Sequence, residues 1–343
     1  MTSKYLLGLQ GAGYAESPLP AELTTMVKDW ALLGSAFVFL CLATGVGRWL
    51  KQQTSQETSL GLDERSVHSF NSRVQAWWFF SIVLGFAFFL PQLTVLLFGG
   101  LSFWALREFI TITPTSTGDH RALFWVFFLF TPLQFILVAY DFYAFYSILI
   151  PVYAFLFIAA RVAISGDFKH FLERVAKIQF GLLVCVYCLS FAPALLYLQC
   201  EHMDGDYANA RLLFFFVTIT LCSELLQFLC SRLFGKHLIA ETIDTNRTWE
   251  GLLGGAGITA LVGLALYWAT PFRTWWQAGA MSLTIAVMAS AGALTMAAIK
   301  RDRGEVISGT LIEGHGGVLS RIDAVCFAAP VFYHVTNYFF GAV

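Results

Sequence analysis

The sequence predicts an all-α polytopic membrane protein with about ten transmembrane helices, whose C-terminal helices form a polar cavity facing the cytosol. Three observations carry that expectation. Of 343 residues, 57% are hydrophobic and only 13% charged, whereas soluble domains carry about 25% charged residues. Apolar runs of the length needed to cross a bilayer, about 20 residues, recur along the chain. The cations are also sorted: of 21 Lys and Arg, 17 fall on one alternate set of loops and 4 on the other. The positive-inside rule makes the first set cytoplasmic. The net charge of −1 is uninformative because the signs are sorted by side. Nothing in the chain points to a nucleic-acid partner.

In order, residues 1–28 hold no adequate signal peptide, because the apolar stretch Tyr5–Leu9 is too short for its core. Trp30–Leu50 is a first span, and the polar stretch KQQTSQETSLGLDERSVHSFNSR over 51–73 reads as a linker. Residues 1–74 thus form an N-terminal extension ahead of a membrane domain over 75–343. From Trp77 to Arg107 two shorter apolar runs flank Pro91. A proline interrupts a helix, and about 30 residues exceed one crossing, so a tight hairpin is expected in preference to one kinked helix. Arg107, Glu108 and the segment TPTSTGDHR over 113–121 read as an interfacial loop.

Spans are then expected over 122–139 and 143–161. Residues 162–177 place Asp167, Lys169, His170, Glu173, Arg174 and Lys177 at helical spacing, the pattern of a surface helix with a solvated charged face. Further spans are expected over 178–199, 211–231, 251–270, 276–299 and 324–341. The seven cysteines lie mostly inside apolar runs. Cys185 and Cys188, although spaced as CxxC, are read as core packing.

Two stretches do not suit a plain lipid-embedded frame. Between Ser290 and Asp323 the chain reads SAGALTMAAIKRDRGEVISGTLIEGHGGVLSRID. So much charge at the mouth of an apolar helix is costly unless it meets water, a ligand or an ion. Between 224 and 255 it reads ELLQFLCSRLFGKHLIAETIDTNRTWEGLLGG. Glu224 lies inside an apolar helix and is a functional candidate on that ground. Lys236, His237, Asn246, Arg247, Thr248 and Glu250 follow at the start of the next span. Backbone N–H groups at a helix start, with a guanidinium and a hydroxyl beside them, suit a phosphate. Basic residues snorkelling at the headgroups, with an ordinary Thr/Glu helix start, explain the same pattern. His315, set between glycines, favours a phosphate contact over a structural hydrogen bond.

Together the two stretches resemble the CDP-diacylglycerol synthase (phosphatidate cytidylyltransferase) family. That family's signature runs roughly S-x-x-K-R-x(4)-K-D, then a Gly-rich H-G-G turn, then D-R-x-D, with an upstream F-G-K and S-P-x-K-T-W-E-G. Here stand Lys300-Arg301, Gly314-His315-Gly316-Gly317, Arg321-Ile322-Asp323, Phe234-Gly235-Lys236 and Thr248-Trp249-Glu250-Gly251. The chain looks like a divergent bacterial paralogue. The resemblance covers about 75–343 and is best over 224–334.

It implies attack by a phosphatidate phosphate oxygen on the α-phosphorus of CTP, with release of pyrophosphate, in a bacterial inner membrane. It also implies catalytic roles for Lys300, Arg301, His315, Arg321 and Asp323. Nucleotide or phosphate binding falls to Lys236, His237, Asn246, Arg247, Thr248, Glu250, Gly316 and Gly317. Mg²⁺ would be held by Glu224 and Asp323, and a homodimer is an implied assembly.

The departures matter as much. The family's membrane-embedded Asp is Glu224 here, and Ser-Pro of the upstream element is Asp244-Thr245, with Arg247 for its Lys. The expected acids are Ala293, Ile307 and Ser320, the signature Ser is Ala297 and a signature Lys is Val306. Positions 293, 297 and 300 share one helix face, so a polar stripe has become Ala293, Ala297, Lys300. Alanine binds no metal, and each lost transition-state contact costs about 2.7–4 kcal/mol. The cationic half remains. A non-catalytic descendant that binds phospholipid or nucleotide and regulates a partner is therefore the alternative expectation.

Overall fold

The computed structural model describes residues 90–200, 207–304 and 317–341, together with individual positions between 34 and 89. Among them the chain is helical almost throughout, and the one sheet is a two-stranded hairpin. Eight helices are defined along the described chain: α1 Pro91–Ile112, α2 His120–Ala139, α3 Tyr143–Ala163, α4 Phe171–Tyr197, α5 Ala208–Phe234, α6 Trp249–Ala265, α7 Trp275–Asp302 and α8 Leu319–Phe340. The hairpin strands β1 Leu238–Ala240 and β2 Asp244–Thr248 join α5 to α6.

The expected multi-pass helical membrane protein is found. Six of these helices (α1 to α5 and α7) are long and apolar enough to span a bilayer. That count is of the described residues and does not reach the expected ten. α6 has 17 residues, about 25 Å at 1.5 Å rise per residue. The first expected span and the linker over 51–73 lie mostly outside the described residues. Where positions there are described they are helical, and Trp78 Nε1 donates to Thr44 Oγ1 at 3.0 Å, docking one helix on the other.

At Pro91 the chain leaves the helix: Leu90 has φ −140° and ψ 79°, and α1 starts afresh with the proline in its first turn. α1 is long enough to cross alone, and the bonds Leu90 N–H to Phe86 and Thr94 N–H to Leu90 flank the break. Two further prolines lie beside wider turns, whereas Pro330 sits inside the regular α8. The π-helical stretches Val126–Phe130 and Leu149–Ala154 lie at Pro132 and Pro151, where the missing N–H leaves the regular ladder short of a donor.

The charged stretch 162–177 corrects the expectation of a surface helix. α3 ends at Ala163, the chain turns through 164–170 with His170 at φ 50°, and α4 then runs unbroken from Phe171 into the membrane. Arg174 is not solvated. It is 5% exposed and grips the fully buried Asp119 through Nε and Nη2, both at 2.9 Å. Asp167 accepts from it at 2.6 Å, and the carbonyls of Asp167 and Lys169 take Nη1. Helical spacing alone did not show that one cation of the six-residue set points inward.

The core is a single cluster of aromatic and aliphatic side chains drawn from the helices, with Phe191, Phe215, Phe216 and Phe332 wholly or almost wholly buried. Large apolar side chains such as Phe128, Leu156 and Phe339 are exposed, as expected where bilayer replaces water. Several polar groups inside are bonded from one helix to another. Gln134 Nε2 donates to the carbonyl of Tyr146 and to Ser190 Oγ, and Gln227 Nε2 ties α5 to α7 through the carbonyl of Ala286 at 3.0 Å.

Candidate functional site

The last four helices alternate in direction, so the ends of α5 and α7 and the starts of α6 and α8 meet at one end of the bundle. Between α5 and α6 the hairpin pairs Leu238 with Thr248 and Ala240 with Asp244. Glu250, at the mouth of α6, closes it. Its carboxylate accepts the backbone N–H groups of Lys236 and His237, each at 3.1 Å, and the His237 ring nitrogen. Those donors, the His237 side chain first, hold the Glu250 carboxyl down at about 2. Thr248 caps α6, its Oγ1 accepting from Gly251 N–H at 3.1 Å. The T-W-E-G run is thus a brace that fixes the hairpin to the helix start, with the Lys236 and His237 side chains left exposed.

The hairpin reaches into the bundle. Arg247 Nη1 lies 3.4 Å from Ser290 Oγ on α7, and its Nε is 3.4 Å from Asp244 Oδ2. Ser290 precedes the end of α7 at Asp302 by 12 residues, about 18 Å along the axis. Glu224 stands 10 residues before the end of α5, about 15 Å in, and is half-buried. The hairpin thus carries a guanidinium to the side of α7, at about the level of the last turn of α5.

At the rim, Lys300 Nζ donates to Ser320 Oγ, joining the end of α7 to the start of α8. This is the residue standing where the resemblance expects an acid. Ala293, about two turns deeper on the stripe, is buried. Asp323 is 6% exposed, and its Oδ1 accepts from Ala324 N–H at 2.8 Å. α7 approaches it closely, because a Cβ on Gly292 would lie 2.6 Å from the Asp323 carbonyl oxygen. Arg321 is half-buried in the first turn of α8, and Arg301 is exposed. Arg303 turns away, to Asp302 at 3.1 Å and Glu173 at 3.9 Å.

His315 and Gly316, with Val306 and Ile307, lie outside the described residues. For Asn246 only the backbone, within β2, is described. Gly317 is placed, and it reveals a residue that the sequence reading left in an interfacial loop. Glu108, near the end of α1, sets its carboxylate against Gly317, where a Cβ would collide with it. Its Oε2 accepts the N–H of Leu319, the first residue of α8, at 3.1 Å. An acid from another helix thus caps the element that carries Arg321 and Asp323. The available signal was a carboxylate placed within an apolar run, the same reasoning that singled out Glu224.

For a metal, the described residues contain no group of three or more His, Cys, Asp or Glu placed to hold one. Glu224 and Asp323 are carried by α5 and α8, two helices in contact. Two carboxylates are the number Mg²⁺ typically takes when substrate phosphates supply other ligands.

These features define a polytopic helical membrane protein in which a hairpin brings Arg247 against the side of α7, while the end of α7 and the start of α8 carry Lys300 and Arg321. The sequence pattern of the cytidylyltransferase family matches residues 71–339, and the chain belongs to that family. It is 32% identical over 309 residues to the uncharacterized protein YnbB of Escherichia coli (strain K12), covering 89% of this chain and 97% of that one. It is 33% identical over 159 residues to the phosphatidate cytidylyltransferase of Haemophilus influenzae, 44% of this chain and 54% of that protein. With the phosphatidate cytidylyltransferase of a Synechocystis strain it shares 41% over 93 residues, 27% of this chain and 32% of that one.

Proposed function

We propose that the chain is a membrane nucleotidyltransferase of the phosphatidate cytidylyltransferase type, or a close variant in phospholipid biosynthesis. A phosphate oxygen of a phosphatidate-like lipid attacks the α-phosphorus of CTP. A new P–O–P linkage forms, the bond to the β-phosphate oxygen breaks, and pyrophosphate leaves. The observation that carries this reading is that both motif stretches meet on α7, Arg247 at Ser290 and Lys300 with Ser320 of α8, in a chain that belongs to the family over 71–339.

In this scheme Lys236, His237, Asn246, Arg247 and Thr248 hold the nucleotide phosphates, with Glu250 keeping the hairpin in register. Gly316 and Gly317 allow the backbone near His315 to approach a phosphate. Lys300, Arg301, His315 and Arg321 neutralise charge on the transferring and leaving groups. Asp323 orients the start of α8 and, with Glu224, would hold Mg²⁺. When bound, that ion supplies further charge neutralisation at the phosphates. The site opens to the cytoplasm of a bacterial inner membrane, residues 1–74 form an extension to the 75–343 domain, and the protein works as a homodimer.

The test is incorporation of labelled CTP into lipid by the purified full chain with phosphatidate and Mg²⁺. Product that vanishes on Lys300→Ala is expected. No incorporation with any acidic lipid or nucleotide overturns the reading. A second reading, a non-catalytic phospholipid- or nucleotide-binding protein that regulates a partner, is favoured by one observation. Lys300 meets the hydroxyl of Ser320 where the resemblance expects a carboxylate. It predicts bound nucleotide without turnover, and turnover created by Ala293→Asp, Ile307→Asp and Ser320→Asp together.

A further inference from the structure

A groove of about 380 Å³ lies between α1, α4 and α7, on the face of α7 opposite Lys300. At 100° per residue, Thr295, Ala298 and Asp302 point some 140–160° away from Lys300. Lys300, Arg247 and Arg321 are not among the groove's lining residues. Its floor is apolar, formed by Phe109, Ala176, Phe180 and Ala298. Its mouth is charged, and it sits where α1 and α7 end and α4 begins, the level of a bilayer's headgroups. The charges are arranged by depth. Lys177 is 15% exposed and Arg303 30%, whereas Glu173 and Asp302 are 51% and 70% exposed. Lys177 holds Glu173 at 2.7 Å, and Arg303 holds Asp302 at 3.1 Å.

We infer that this groove binds one membrane phospholipid whose headgroup carries a primary ammonium. An acyl chain lies on the apolar floor. The phosphate sits deep, accepting from Lys177 and Arg303. The ammonium sits outside it, donating to Glu173 and Asp302. The inward cations and outward acids match the order of charges along such a headgroup. A free phosphate would leave the floor bare, and an anionic lipid would leave the outer acids facing negative charge. The site is independent of nucleotide chemistry, so its fate and that of the proposed activity are separable.

The experiment is native mass spectrometry of the full chain equilibrated with equal amounts of dioleoyl lipids bearing ethanolamine, choline or glycerol headgroups. Preferential retention of the ethanolamine lipid is expected, about tenfold reduced by Arg303→Gln or Lys177→Gln, the loss of one charge-assisted contact. Ala298→Trp, which fills the floor, lowers retention of all three. Should that variant fail to fold, the two mouth variants at exposed or half-exposed side chains still decide the matter. Equal retention of the three lipids, preference for the glycerol lipid, or retention unchanged in both mouth variants overturns the inference.

Discussion

Arg174 and Arg247 hold the same charge in opposite kinds of surroundings. Arg174 meets two carboxylates and two carbonyls at 2.6–3.1 Å and is 5% exposed. Its charge is cancelled by groups built into the fold. Arg247 has one carboxylate at 3.4 Å and one hydroxyl at 3.4 Å. Lys300 likewise donates to a hydroxyl. A hydroxyl does not neutralise a cation, so Lys300 keeps a charge that a phosphate can meet, while Arg247 is held by one longer ion pair. The two regions show how burial of charge for stability differs from charge held ready for a ligand.

The comparison breaks most readily at Arg174. Replacing it by Ala strands Asp119 in the interior, and removal of one partner from a buried pair costs about 3–5 kcal/mol. A sharply lowered thermal midpoint in detergent is the expected result, and a midpoint near wild type would show the pair to be idle. At the other pole, Lys300→Ala and Arg247→Ala should leave the midpoint near wild type while lowering lipid cytidylylation by about 10²–10³. Stability loss comparable to that of Arg174→Ala would move these cations into the structural class.

Glu108 lies between the poles. Glu108→Gln keeps the shape but weakens the acceptor for Leu319 N–H, a change of about 1 kcal/mol. A larger loss of CTP affinity than of stability would mark it as a positioning residue for α8, and Gly317→Ala, which displaces the same carboxylate, should phenocopy it.

The smallest effect is acidic. The Lys169 backbone N–H, with Ser116 and Arg174, holds the Asp167 carboxyl below its usual range. Its folded-state pKa is lowered, so its contribution is present above the unfolded value of about 3.9 and fades as pH falls below it. Asp167→Asn should flatten the acid limb of a stability–pH profile and leave pH 7–8 turnover alone.

Much of this was legible in the chain. The apolar runs located α2, α3, α5 and α7 within a few residues because bilayer thickness dictates their length. The motif stretches were found because charge in an apolar run demands an explanation. Glu108 escaped because one acid beside an arginine at a helix end is ordinary, and only the return of α8 some 200 residues later gives it a partner. Arg174 escaped for the related reason that helical spacing tells which residues share a face, not which face is covered. Glu250 was expected at a phosphate. The fold shows it also binding the hairpin's own N–H groups, which a spacing argument cannot separate from a ligand contact.

By itself the sequence determined that the chain is a multi-pass membrane protein, where several of its long apolar helices lie, and that two motif stretches hold charge at helix ends. Those are consequences of transfer free energy and local spacing. Only the tertiary structure decided that Arg247 meets Ser290 on α7, that Ser320 receives Lys300, and that Glu108 caps α8. Such pairings join residues far apart in the chain, and their energies depend on distances that no local pattern encodes.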